Sequence, residues 1–474
     1  MSSSKVLALI QTFSTLGFAI LYSTLVLFTT KALGFDSKQA TTLIGVFAAF
    51  NYVLHLFGGF IGGKLLSNRN LFVMGMVLQV IGLAFISLIT KDGLFWGLAM
   101  FLTGSGLNVT CINMILTQQF EPDDPKRESS FFLNYAGMNV GFFVGFSVAG
   151  YLELTQSYKE LFLFATIGNA VSILVAVLFW KKLKDHTTSL SKATKEIKKK
   201  HFIYGILILI AFVPVIRMLL EYASDTQWLV VGLGIAILAF WIFKTAVHKD
   251  KSEQKRMLVY LILAIGSLVF WALYQLAPMG LMLFAENNIN RNVFGLLVAP
   301  QWIQNINTIV IVIGGPILAW FFNRLRDKGI DINIPTQFAS ALVFIGLGMI
   351  VLPLGISFAD VNGMVAFKWI VFSYIFQSIG ELLISPIGYA MIGKLAPQKY
   401  QGMMMGTWMM VTGVASIGAS RVSQLMPQVS SEVSATVSNP GYSDMFSMLG
   451  YTAIGVGIVL FILVPFLKRL IKSN

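Results

Sequence analysis

Residues Phe367–Ile392 read FKWIVFSYIFQSIGELLISPIGYAMI. After Lys368 the run carries one charge, Glu381, close to its centre. A span of about 20 apolar residues is the length of a membrane-crossing helix. A carboxylate at that depth costs ~2.5–3.5 kcal/mol on insertion scales and more in simulations. A chain that keeps one uses it on a substrate, an ion or a proton, or packs it protonated against another helix. This one stretch therefore predicts a membrane protein and marks where its chemistry lies.

The rest of the chain repeats the apolar pattern. Of 474 residues, 56% are hydrophobic and 12% charged, with a mean hydropathy of +0.77, which excludes a soluble globular chain. Fourteen stretches have the length of about 20 residues that a span needs: roughly 7–30, 40–63, 70–90, 94–118, 129–153, 159–180, 202–222, 227–247, 257–285, 295–322, 336–356, 367–393, 402–425 and 445–467. Only helices and closed barrels satisfy the backbone in lipid. The ~10-residue alternating segments of a barrel are absent, so the expectation is an all-α membrane protein. The apolar run after Lys5 is too long for a signal peptide and no small-residue cleavage site follows it, so it reads as the first span.

The net charge of +13 does not point to nucleic acid, because the bases fall in loops on one side. Lys181, Lys182, Lys184, Lys192, Lys195, Lys198, Lys199 and Lys200 fill one loop, and Lys249, Lys251, Lys255 and Arg256 another. Arg324, Arg326 and Lys328, then Lys394 and Lys399, then Lys468, Arg469 and Lys472 follow at alternate turns. The positive-inside rule makes these cytoplasmic and puts both termini inside, in the inner membrane of a bacterium. The one cysteine, Cys111, lies within a span, so no intramolecular disulfide can form.

The basic loops divide the spans into six, two and six. The expected organisation is a six-helix bundle over 1–180, basic linkers with two extra spans over 181–256, and a second six-helix bundle over 257–474. Two six-helix halves with a substrate near the midplane between them is the plan of major facilitator transporters. The linker Lys181–Lys200 reads as a solvated connector. Gly58, Gly59, Gly62 and Gly63, and Gly137, Gly141 and Gly145, read as packing seams. Pro278, Pro316 and Pro386 interrupt spans and can free backbone groups toward a cavity.

Enzyme signatures are missing. There is no His-Glu-x-x-His zinc site, no paired intramembrane carboxylates and no Gly-x-x-x-x-Gly-Lys-Ser/Thr loop. No metal, no cofactor and no catalytic residue is expected. His55 is the only histidine inside a span. It reads either as a neutral side chain bonded to a neighbouring helix or as a proton carrier. The polar residues of the second half cluster in motifs: Gly380-Glu381-x-x-x-Ser385-Pro386, Lys394-x-x-Pro397, Met405-Gly406-x-Trp408, Gln304-Asn305-x-Asn307 ahead of Pro316, and Tyr274-Gln275 ahead of Pro278. Amides in mid-helix seek partners on other helices or on a substrate.

These motifs carry a resemblance to the proton-dependent oligopeptide transporter (POT) family of the major facilitator superfamily, with bacterial di- and tripeptide permeases most similar. Gly380, Glu381, Ser385, Pro397, Met405, Gly406 and Trp408 match its tenth-helix region. Gln304, Asn307 and Pro316 match its eighth, with Thr308 replacing a proline, and Tyr135, Asn139 and Gly141 match its fifth. Prokaryotic members insert two helices between the halves, as here. The resemblance implies a secondary transporter for a small molecule or peptide, with Glu381 meeting the substrate's amine. It implies that Asn307, Gln304, Tyr274, Trp408, Ser385, Asn139, Tyr135 and Asn108 line the same cavity, in a protein acting as a monomer in the bilayer.

The departures from the family are as informative. Its first helix carries Glu-x-x-Glu-Arg for proton coupling and carboxylate contact; here those positions are Gln11, Ser14 and Thr15. Its fourth-helix lysine falls at Val109 and its acid after the second span at Gly63. Any proton coupling then falls to Glu381, assisted by His55, and a peptide's carboxylate lacks its clamp. The alternatives are an amine-bearing ligand without a free carboxylate or with its acid bound by amides such as Asn108 and Asn139, a non-peptide metabolite such as an amino-acid conjugate or metallophore, or a sensor that binds without transporting.

Overall fold

The structure, a computed structural model, describes residues 2–121, 124–329, 332–427 and 434–472. The first six long helices are α1 (Ser3–Lys31), α2 (Ser37–Ile61), α3 (Asn68–Ile86), α4 (Lys91–Thr117), α5 (Pro125–Leu154) and α6 (Tyr158–Leu178). The short α7 (Ser189–Lys192) leads to α8 (Lys195–Glu221) and α9 (Ala223–Ala246). Then follow α10 (Lys251–Tyr274), α11 (Gly280–Asn288), α12 (Pro300–Asp327), α13 (Ile334–Ser357), α14 (Phe367–Leu395), α15 (Gln401–Leu425) and α16 (Ala435–Lys472). Among the described residues 13 of these are long and apolar enough to cross a membrane. The all-α expectation holds, and each of the fourteen apolar stretches is wholly or mostly helical.

The helix starts follow capping chemistry. Ser67 and Thr90 accept backbone N–H groups of Asn70 and Gly93, donors that have no intrahelical partner. Asp250 does the same for α10, accepting from Ser252 N at 2.8 Å and Glu253 N at 3.1 Å. Those bonds, Glu253 N first, hold its carboxyl below the usual range. Thr194 caps α8 through Ile197 N. The basic linker is therefore shorter than the sequence suggested, since Lys195–Lys200 form the first turns of α8.

Two spans begin or break differently from the expectation. The run read as one span over 257–285 is two helices, because Pro278 has no N–H to continue a ladder. Turn bonds stitch the gap, with Ala277 N to Tyr274 O at 3.3 Å and Met279 N to Leu276 O at 3.0 Å. The orphan Gly280 N donates to Ser423 Oγ of α15 at 3.0 Å. The apolar residues read as the start of a span at 295 form a hairpin instead, with α12 starting at Pro300. Its strands are β2 (Asn292–Val293) and β3 (Leu296–Leu297). Beside it β1 (Ile289–Asn290) pairs in parallel with β4 (Val365–Ala366).

The chain forms two compact units. The first comprises Met1–Phe35 with Val46–Thr226, the second Asp36–Gly45 with Gln227–Asn474. In the first, Val6, Leu7, Ile10, Phe72, Met76, Leu107 and Cys111 form a contiguous core. Close backbone approach organises its helices. A Cβ on Gly137 would lie 2.6 Å from Ala8 O of α1, and one on Gly82 would lie 2.5 Å from Gly97 O of α4. Gly104 likewise abuts the Gly75 backbone. Glycine seams of this kind serve helix association in lipid, where no hydrophobic force acts between helices. A half-buried pair of Lys31 Nζ and Glu153 Oε1 at 3.1 Å, with Tyr158 donating to the same oxygen at 2.9 Å, fastens α1 to α5 and α6.

Candidate functional site

In the second unit Glu381 lies on α14 beside Asn307 of α12. Gly380 makes this possible: a Cβ there would meet Ala341 O and the Phe270 ring at 3.0 Å, so the small residue lets α14 close against α10 and α13. The adjacent side chain is then directed between α10 and α12. Asn307 Nδ2 donates to Glu381 Oε2 at 2.7 Å and to Ser378 Oγ at 2.9 Å. Ser378 in turn donates to Tyr374 O at 2.7 Å. The Tyr274 hydroxyl also bonds the Glu381 carboxylate. Tyr274 is stacked on Phe270, 6.2 Å between centroids, and set edge-on to Trp271 at 5.6 Å.

These partners of Glu381 are neutral donors. A carboxyl group held by neutral donors can take up a cation or a proton, while the apolar walls lower the local dielectric and strengthen any such contact. Gln304, one turn before Asn307 on α12, is buried, and its Nε2 has no partner among the described residues. Ser385 is one turn beyond Glu381 on α14 and partly buried.

Of the remaining sequence-derived candidates, Trp408 shares this unit and the others belong to the first. Trp408 is buried in the second unit, 5.9 Å from the Phe338 ring and packed on Gly388 of α14. Tyr135, Asn139, Asn108 and His55 belong to the first unit. Asn139 Nδ2 bonds its own helix at Tyr135 O, 2.9 Å away, while the Tyr135 ring is exposed. Asn108 is buried, with Nδ2 on Met76 Sδ at 2.9 Å and Oδ1 unpartnered among the described residues. Both His55 ring nitrogens lack a hydrogen-bond partner there, and Tyr52 stands edge-on at 5.9 Å. Where the resembling family has helix-one charges, Gln11 Nε2 donates to Thr15 Oγ1 at 2.9 Å and Ser14 to Gln11 O at 3.2 Å.

Ser378 is the site residue that sequence reasoning missed. The available signal was its spacing, three residues before Glu381, which puts both on one helix face.

A multi-pass helical membrane protein with one carboxylate tethered inside an apolar bundle has the make-up of a membrane transporter. Known proteins agree. Residues 69–439 match the POT family. The chain is 29% identical to dipeptide and tripeptide permease A of Erwinia pyrifoliae, covering 98% of this chain and 94% of that protein. It is 29% identical to dipeptide and tripeptide permease B of Salmonella typhimurium, covering 95% and 92%. Peptide transporter POT solved in complex with sulfate aligns with a TM-score of 0.87 at 24% identity, over 99% of this chain and 96% of that one. A POT family transporter solved with 5-aminolevulinic acid gives 0.83 at 22% identity, over 98% and 96%. The fold is that of the major facilitators, and the chain belongs to the POT family of transporters.

Proposed function

We propose that the chain is a secondary active transporter that moves a small amine-bearing solute, a peptide or peptide-like molecule, across the inner membrane by alternating access, with both termini cytoplasmic. The observation that carries this reading is the Glu381 carboxylate held by Asn307 and Tyr274. A ligand ammonium supplies the positive partner those neutral donors do not. The free Nε2 of Gln304 is suited to a ligand carbonyl. The permeases to which the chain is similar, named for di- and tripeptides, support a peptide.

Proton movement is assigned to the same carboxylate. An approaching ammonium favours the charged form of Glu381 and releases its proton, so substrate and proton exchange at one group. His55, with both ring nitrogens unpartnered among the described residues, is the second candidate. Uncoupled, facilitative movement is the alternative.

One observation favours a wider substrate class. Gln11 Nε2 donates to Thr15 Oγ1, and the pair presents no charge to a ligand carboxylate. A solute without a free carboxylate, or a non-peptide amine such as an amino-acid conjugate or metallophore, then fits as well as a peptide. The fold neighbour solved with 5-aminolevulinic acid is consistent with that breadth, and binding without transport is the remaining form of it.

Uptake of a labelled dipeptide into proteoliposomes, with and without an inward proton gradient, tests the reading. Unlabelled dipeptides with a free amine compete, C-terminally amidated ones compete as well, and N-acetylated ones do not. Competition by N-acetylated peptides equal to that of free ones defeats the amine assignment. Gradient-driven accumulation that survives Glu381→Gln removes Glu381 as the coupling group.

A further inference from the structure

The hairpin Asn292–Leu297 between α11 and α12 is apolar, exposed and unused by the site above. Its two-residue tip is Phe294-Gly295, both at positive φ, 51° and 81°. A tip of this kind favours Asn or Asp before the Gly, because an aromatic residue is poorly suited to the left-handed region. Phe294 nevertheless occupies it and is 102% exposed, with Leu296 at 72% and Leu297 at 53%. The base is firmly built: Arg291 donates to Val298 O at 2.9 Å and pairs with Glu286 at 2.8 Å. An ordered hairpin that holds three large apolar side chains outward is shaped to meet an apolar surface.

Position identifies that surface. No acidic or basic residue occurs from Asn292 to Asn323, so the hairpin is the end of an uncharged run that continues into a membrane-spanning helix. The basic turn of α12, Arg324 and Arg326, marks one headgroup layer. At ~1.5 Å per residue, Pro300 lies about 36 Å along the axis from Arg324. The hydrocarbon core is about 30 Å thick, so Pro300 reaches the opposite headgroup layer. The hairpin precedes Pro300 and therefore lies at that interface. A neutral apolar tip there gains by sinking toward the acyl chains.

We infer that Val293–Leu297 is a bilayer anchor that dips Phe294, Leu296 and Leu297 into the leaflet opposite the basic end of α12. The occupant is phospholipid, held by apolar contact.

The test reconstitutes the full chain in phosphatidylcholine vesicles. Cys111 is buried, so Phe294→Cys and Leu297→Cys each provide one site for an environment-sensitive fluorophore. Lys249→Cys, in the loop before α10, serves as the water-exposed reference. Both hairpin labels are expected to be quenched several-fold more by lipid-borne spin label near the headgroup than by aqueous iodide, and to emit blue of the reference. Iodide quenching equal to the reference at both sites, without quenching from lipid, overturns the inference. Protection from both quenchers, with disulfide-linked dimers of the unlabelled variants, assigns the tip to a second copy and also overturns it.

Discussion

Glu381→Gln isolates the charge of the proposed site from its shape. The substituted side chain has the same length, and its amide oxygen can still accept from Asn307 Nδ2, which sits 2.7 Å from Oε2 in the native chain. The Asn307–Ser378 bond at 2.9 Å is untouched. What disappears is charge assistance to the ligand amine. Hydrogen bonds to a charged group are worth about 1.5–3 kcal/mol net and neutral ones about 0.5–1.5 kcal/mol. The difference is about 1–2 kcal/mol. At ~1.4 kcal/mol per tenfold, affinity should fall roughly 5- to 30-fold. Calorimetry or ligand-induced thermal shift of the purified protein with a dipeptide measures this, with an N-acetylated dipeptide in parallel. The acetylated ligand, which lacks the ammonium, should bind the native protein weakly and lose nothing further on the substitution. Unchanged dipeptide affinity, or an equal loss for both ligands, refutes the argument.

Asn307→Ala removes two hydrogen bonds from one amide and should lower stability by about 1–2 kcal/mol, with Ser378→Ala costing roughly half as much, read as thermal midpoints. Lys31→Met strips the cation from the buried Glu153 and should cost about 2 kcal/mol, less than a fully buried pair because Lys31 is part-exposed; adding Glu153→Gln should recover part of the loss. Gly104→Val pushes a side chain into the Gly75 backbone, and should abolish the monodisperse species on size-exclusion chromatography where Gly402→Val, which meets nothing nearby, does not.

Helix number and type were legible because each span carries its own length and apolarity, properties that need no partner. The misread places are those where identical composition serves different geometry. Val293–Ala299 is as apolar as a helix start, and only the paired positive φ values of Phe294 and Gly295 make it a hairpin. Pro278 signalled a disturbance, but whether a proline kinks or ends a helix depends on what caps the freed groups. Here that is Ser423, which accepts from Gly280 N across 143 residues of sequence. At the site, Glu381 and Asn307 announced themselves as polar groups in apolar helices, and they meet. Trp408 carried an equally clear motif, and its packing on Gly388 is a pairing between helices that spacing within either one does not encode. Gln11 and Thr15 looked like lost charges and turn out to be each other's partners.

Tyr274 is the last residue of α10 before the chain breaks at Leu276–Met279, and its hydroxyl is one of the ties on Glu381. The same side chain thus belongs to the carboxylate and to a helix end. An ammonium that draws the carboxylate toward itself, or a proton that neutralises it, changes the tension on that tie. Turn bonds and the Gly280–Ser423 contact hold the break in place of a continuous helical ladder. On the proposed function, occupancy of a single acidic group would be felt at a joint in the chain, as a finger on a string alters the pull at its peg.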